Sequence, residues 1–165
     1  EKYYNIRVMK KEVSLKIISN QYIESLKPSG EAFVRELELE DSVEILTDGE
    51  VFSRAGATYV TYNESADAGL EDSRAILKVK EDVIEIKRYG KDDDLTMDMH
   101  LEEGAMTITR YHLPMMQSID LEVYTNGVEV NLDEEGLGTI KADYRLRFDE
   151  EYSRRTKLEV TVMEQ

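Results

Sequence analysis

The sequence predicts an all-β protein, a single antiparallel, meander-type β-barrel of about ten strands that is closed or nearly closed. Three observations indicate this fold class. Apolar and polar residues alternate with a period of two along most of the chain, turn signals with glycine separate the alternating runs, and little of the sequence has a helical period. Because a sheet of many strands must hide its edges, curling into a barrel is the simplest arrangement for strands joined by short hairpins.

The first residues do not fit this pattern. The chain begins Glu1-Lys2-Tyr3-Tyr4, and its first methionine is Met9. We therefore expect residues 1–8 to be an N-terminal extension or an added segment, and residues 9–165 to form one β-barrel domain.

Alternation begins at Val13, and the stretch that follows is the least certain part of the chain. Glu36–Glu40 alternates as a strand would, whereas Glu31–Leu37 could equally form a short helix. Lys27-Pro28-Ser29-Gly30 is expected to be a turn or loop in either case.

The later strands follow as alternating runs, most of them apolar on one face and polar on the other, although both faces of the run that begins at Ile108 are mixed. In order they are Thr58–Glu64, Val83–Arg88, Leu95–Glu102, Ile108–Pro114, Ile119–Tyr124, Val128–Leu132, Ile140–Phe148 and Leu158–Val162. Glycine adopts positive φ without steric cost, so it marks hairpin turns between such runs. We expect such turns at Asp48-Gly49, Tyr89-Gly90, Glu103-Gly104 and Asn126-Gly127.

Charge and composition exclude several kinds of partner. The 165 residues include 36 acidic and 21 basic side chains, a formal charge of −15, so the chain has no electrostatic basis for binding nucleic acid. No apolar run approaches the ~18 residues of a membrane span. The chain has no cysteine, which excludes disulfides and thiolate chemistry. We expect a soluble, cytoplasmic protein with neither nucleic-acid nor membrane partners.

The sequence also lacks the common local motifs for catalysis and cofactor binding. It has no G-x-S-x-G elbow, no P-loop and no G-x-G-x-x-G segment. Asn131–Gly136 resembles the start of a calcium loop, but Ala142 stands where a bidentate glutamate is required. His100 and His112 lack a carboxylate at a suitable spacing. We therefore predict no metal, no cofactor and no assigned catalytic residue.

Two charged residues share a strand face with buried apolar residues. The alternation that buries Ile86 carries Arg88 to the same side, and the face of Tyr62 ends with Glu64. Because a buried charge is tolerated only when it is paired, we expect Arg88 and Glu64 to pair. The pair either has a structural role at the barrel rim or anchors a ligand in the interior.

The order of the segments resembles the YwiB-like proteins, small bacterial barrels of unknown function with a calycin-like fold related to lipocalins. The segments that carry this resemblance are Thr47-Asp48-Gly49, Tyr59–Glu64, Arg88-Tyr89-Gly90, Tyr111-His112-Leu113-Pro114, Leu121–Thr125 and Asp143–Leu146. Family members often have a glycine after that proline, whereas Met115-Met116-Gln117 follows here. The chain has no tryptophan, so the lipocalin G-x-W signature is absent. The resemblance implies a fold and no established activity.

We predict a non-catalytic binding protein for a small molecule in the barrel interior or for a protein partner. The ligand-binding residues would be Tyr62, Glu64, Arg88, Tyr111 and Tyr144, since a tyrosine ring packs while its hydroxyl reaches a polar group. With a charge of −15, a protein partner would be basic or neutral.

Two other functions stay open. A carboxylate-dependent hydrolase would need two inward acids about 5–10 Å apart. A structural or assembly protein would pair two copies into a homodimer through an exposed strand edge.

Overall fold

The computed structural model describes residues 10–64, 73–112, 117–149 and 153–165, and in them ten strands form one antiparallel sheet without helices. The strands are β1 Lys11–Ser29, β2 Ala32–Arg54, β3 Ala57–Asn63, β4 Arg74–Lys80, β5 Val83–Tyr89, β6 Leu95–Glu102, β7 Met106–Tyr111, β8 Ile119–Leu132, β9 Gly138–Arg147 and β10 Ser153–Glu164. The predicted all-β class is confirmed.

The strand order is β6-β5-β4-β3-β2-β1-β10-β9-β8-β7, so the chain meanders outward from β1 and returns from β7 to β10, which pairs with β1. The two outermost strands, β6 and β7, meet at a seam without a continuous ladder. His112 N donates to Thr96 O at 2.9 Å, and Thr107 Oγ1 donates to His100 O at 3.1 Å. The sheet therefore curls into the nearly closed barrel that the sequence predicts.

Apolar side chains from alternate positions fill the barrel interior, as the period of two requires. Those without any exposed surface include Val13, Leu15, Val60, Ile84, Leu101, Val123 and Ile140. Thr109 and Thr125 share this interior, and in each the hydroxyl has no hydrogen-bond partner among the described residues.

β1 and β2 continue beyond the barrel as a two-stranded hairpin, which we call the arm (residues 24–40). β10 pairs with β1 only as far as Ile23, and β3 pairs with β2 only from Gly49 onward. A bulge at Glu40 separates the arm from the barrel part of β2, because Gln21 pairs with Asp41 and Tyr22 pairs with Leu39. The arm is the stretch that sequence left uncertain, and the helical alternative for Glu31–Leu37 is wrong because these residues lie in or beside β2.

Two of the predicted glycine turns are also wrong. Gly49 lies inside β2, where a Cβ would come within 2.6 Å of Leu15 Cδ1, so this glycine permits close packing rather than a turn. Gly127 lies inside β8, beside a bulge that leaves Asn126 without a partner residue on β9. Gly104, with φ of 80°, does form the turn between β6 and β7, and Gly90 follows the end of β5, where its N–H donates to Asp94 O in the turn to β6.

Some sequence predictions fall outside the described residues. These are the N-terminal segment 1–8 with Met9, and the turn around Leu113-Pro114-Met115-Met116. Within the described part of the chain, no helix has the length and apolar character to cross a membrane.

Candidate functional site

A cavity of about 220 Å³ lies inside the barrel, toward the end from which the arm leaves. Its wall is largely apolar and combines residues from strands that are far apart in the chain. The apolar lining residues are Ile17, Val43, Ile45, Leu77, Ile86, Met97, Met99, Leu158 and Val160. Such a wall favours the apolar part of a bound molecule.

All five residues singled out from the sequence line this one cavity. Tyr62 lies on β3 and Glu64 just after it, Arg88 on β5, Tyr111 on β7 and Tyr144 on β9. Each side chain points inward because its position has the same alternation phase as the core residues of its strand. Closure of the sheet then brings the five together.

Arg88 and Glu64 form the ion pair that the sequence predicts. Arg88 Nε donates a hydrogen bond to Glu64 Oε1, and Arg88 Nη1 lies 3.9 Å from Met97 Sδ. The Glu64 side chain is 4% exposed and that of Arg88 is 27% exposed. The carboxylate is therefore buried behind the guanidinium, which keeps part of its surface accessible.

Burial and this ion pair change the acid–base properties of the cavity. Burial disfavours the charged guanidinium of Arg88, but the charge and hydrogen bond of Glu64 outweigh it and raise the pKa of Arg88. Burial, helped by the charge of Glu64, raises the pKa of Tyr62 to about 12. Burial likewise raises the pKa of Tyr144. Both phenols are thus neutral hydrogen-bonding groups at pH 7.

The cavity has few groups for acid–base chemistry. Glu64 is the one carboxylate among its described lining residues, and Arg88 pairs with it. The inward acid pair that a carboxylate-dependent hydrolase would need is therefore not present in the described wall. Across the described ranges, no group of three or more His, Cys, Asp or Glu side chains is placed to hold a metal ion.

Sequence reasoning missed the contribution of β2 to the cavity. Val43 and Ile45 line it, although Leu37 and Leu39 in the same strand lie on the opposite face. The bulge at Glu40 inserts one residue and so reverses the alternation phase. Without the bulge, alternation would place Leu37 and Leu39 on the same inward face as Val43, so the sequence does not show that the two leucines point outward.

A second polar cluster, on the outer face at the base of the arm, was also missed. Arg145 Nε and Nη2 donate to the Glu24 carboxylate at 2.9–3.1 Å, and Arg155 donates to both oxygens of Asp143 at 2.8 Å. Burial opposes the charge of Asp143, but the bonds from Arg155 lower its pKa. Glu24 and Arg145 lie 121 positions apart, so no local pattern could have predicted their contact.

Fold and cavity together define a class of protein: a nearly closed, all-β barrel with an apolar cavity that contains one buried ion pair. Residues 32–160 match the family described as "Domain of unknown function (DUF1934)". Because this match covers well over half of the chain, the protein belongs to that family.

A solved structure agrees with this assignment. The crystal structure of the ywiB protein from Bacillus subtilis superposes with a TM-score of 0.61 at 19% sequence identity, over 96% of this chain and 98% of that chain. At this identity the similarity shows the fold alone. Together with the family match, it confirms the YwiB-like resemblance. Among curated proteins, none matches the chain.

Proposed function

We propose that this protein is a non-catalytic binding protein that holds a small amphipathic molecule in the barrel cavity. The observation that carries the proposal is the convergence of Tyr62, Glu64, Arg88, Tyr111 and Tyr144 on one largely apolar cavity. A concave apolar wall with a few convergent polar groups is the usual design of a small-molecule site.

The size and polarity of the cavity define the class of ligand. At about 220 Å³ it is smaller than the cavities of about 300–1,000 Å³ that hold drug-sized ligands. Arg88 Nε donates its hydrogen bond to Glu64, whereas Nη1 contacts the sulfur of Met97, which is a weak acceptor. The guanidinium therefore keeps donor capacity, and the ligand is a compact apolar molecule with acceptor oxygens at one end.

The cellular setting is part of the same proposal. We expect a calycin-like binding protein of the bacterial cytoplasm. The similarity to a protein from Bacillus subtilis supports the bacterial part. The calycin relationship and the cytoplasmic location stay predictions.

Native mass spectrometry of the purified protein tests the proposal. We expect a co-purifying species of discrete mass on the wild-type protein, its loss in Arg88→Ala, and its retention in Arg110→Ala, a control on the exposed face of β7. The double variant Glu64→Leu with Arg88→Met keeps the cavity apolar without an unpaired charge, so loss of the species there separates lost binding from misfolding. A species retained in both Arg88 variants, or none on the wild type, would argue against this function.

A further inference from the structure

β2 has a long edge along which none of the described strands pairs. From Ala32 to Asp48 it pairs with β1 on one side, and no described strand pairs with its other side because β3 joins only at Gly49. Every residue from Ala32 to Glu44 is exposed. Unpaired N–H and C=O groups along such an edge are a template for an additional strand.

The two faces of this edge differ in chemistry. The register places Phe33, Leu37 and Leu39 on the outer face, where Phe33 is 72% and Leu39 55% exposed. On the opposite face lie Glu36 and Glu38, and the bulge at Glu40 brings Asp41 into the same row. One face of the edge is therefore mainly apolar, with Arg35 between Phe33 and Leu37, and the other is mainly acidic, with Val34 beside Glu36.

We propose that this edge binds an extended segment of a partner protein as an added β-strand, and that the segment alternates basic and apolar residues. Main-chain hydrogen bonds would supply the pairing, and alternate side chains would supply specificity. Lysine or arginine side chains would face Glu36, Glu38 and Asp41, while apolar ones would pack on Leu37 and Leu39.

Charge argues against a second copy of this chain as the added strand. Between Arg35 and Glu44, five carboxylates stand against one guanidinium, so pairing two such edges brings carboxylates opposite each other. Arg154 compensates Glu40 at 2.7 Å, whereas the exposed pairs Lys27–Glu36 and Lys16–Glu44 are screened by solvent and reduce the repulsion of the other carboxylates little. The formal charge of −15 per chain adds to it.

Labelled synthetic peptides test the proposal by fluorescence anisotropy. The first peptide alternates lysine and valine, the second has the same composition with the lysines and valines in separate blocks, and the third alternates glutamate and valine. We expect the first to bind the full-length protein at least about tenfold more tightly than the others. Its affinity should fall as salt is added, since salt screens exposed charges.

A pair of charge-reversal variants locates the binding. Glu38→Lys with Asp41→Lys should weaken binding of the alternating lysine peptide at least about tenfold and improve binding of the glutamate peptide. Asp82→Lys with Glu134→Lys changes net charge equally in turns at the opposite end of the barrel and should leave the affinities unchanged.

Three results would overturn the proposal. The first is equal binding of the alternating and block peptides, which would indicate only charge attraction. The second is an affinity that does not respond to reversal at Glu38 and Asp41. The third is a dimer in sedimentation that the alternating peptide does not dissociate, which would assign the edge to a second copy. None of these results bears on the ligand in the cavity.

Discussion

Arg88 and Glu64, 24 positions apart in the chain, meet inside the barrel, where the guanidinium donates a hydrogen bond to a carboxylate that is 4% exposed. A carboxylate at this depth is stable only while a cation compensates it. This contact links the fold to the cavity, because it joins the end of β3 to β5 at the cavity wall.

Removal of the arginine should therefore destabilise the protein strongly. Arg88→Ala leaves Glu64 buried without its partner and should lower the free energy of unfolding by about 3–5 kcal/mol in urea denaturation. Arg110→Ala breaks the exposed pair with Asp120 and should cost far less. Equal losses in the two variants would place the Arg88–Glu64 pair at a hydrated rim instead.

Alkaline pH should destabilise the fold partly through Tyr62. Its pKa rises from 10.0 to about 12 on folding, so the neutral form contributes stability that is complete below pH 10 and is lost as pH rises toward 12. The contribution is of the order of 2–3 kcal/mol. Unfolding measured from pH 9 to pH 12 should show a smaller loss in Tyr62→Phe than in the wild type. Identical profiles for the two proteins would show that this phenol is not buried.

Gly49 should not tolerate a side chain. A Cβ at this position would lie 2.5 Å from Thr61 O and 2.6 Å from Leu15 Cδ1, so Gly49→Ala should cost about 1–3 kcal/mol of stability. In Gly127→Ala the new Cβ would meet nothing closer than Glu103 Oε1 at 4.0 Å, and stability should hardly change. Thermal unfolding of both variants checks this, and a benign Gly49→Ala would contradict the register between β1 and β2.

Two threonines on β7 should respond differently to the same substitution. Thr107 Oγ1 bridges the seam to His100 O, so Thr107→Val should lose about 0.5–1.5 kcal/mol. Thr109 is fully buried, and its hydroxyl has no partner among the described residues, so Thr109→Val should leave stability nearly unchanged or raise it. Chemical denaturation of the two variants measures the difference, and a larger loss for Thr109→Val would mean that its hydroxyl is satisfied in solution.

The cavity residues were predictable because the direction of a side chain in a strand is a local property. Tyr62, Arg88 and Tyr144 each lie two positions from an apolar residue of the interior, and Glu64 lies two positions from Tyr62, so alternation alone assigned them inward. The same rule would place Leu37 and Leu39 inward with Val43, whereas one extra residue at Glu40, which nothing in the composition indicates, puts the two leucines on the outer face. Gly49 was misread for a similar reason, since a glycine required by Leu15 looks like a turn glycine in the sequence.

The sequence by itself determined the all-β class, the meander and the inward direction of the polar cavity residues. These features follow from the two-residue alternation of apolar and polar side chains, which is visible in any short segment of a strand. Only the tertiary structure decided that β6 meets β7 at a seam and that Glu24 contacts Arg145. These contacts join residues far apart in the chain, and the curl of the whole sheet sets their distance. No local pattern contains that curvature, so the cavity and the free edge of the arm became visible only once the strands were assembled.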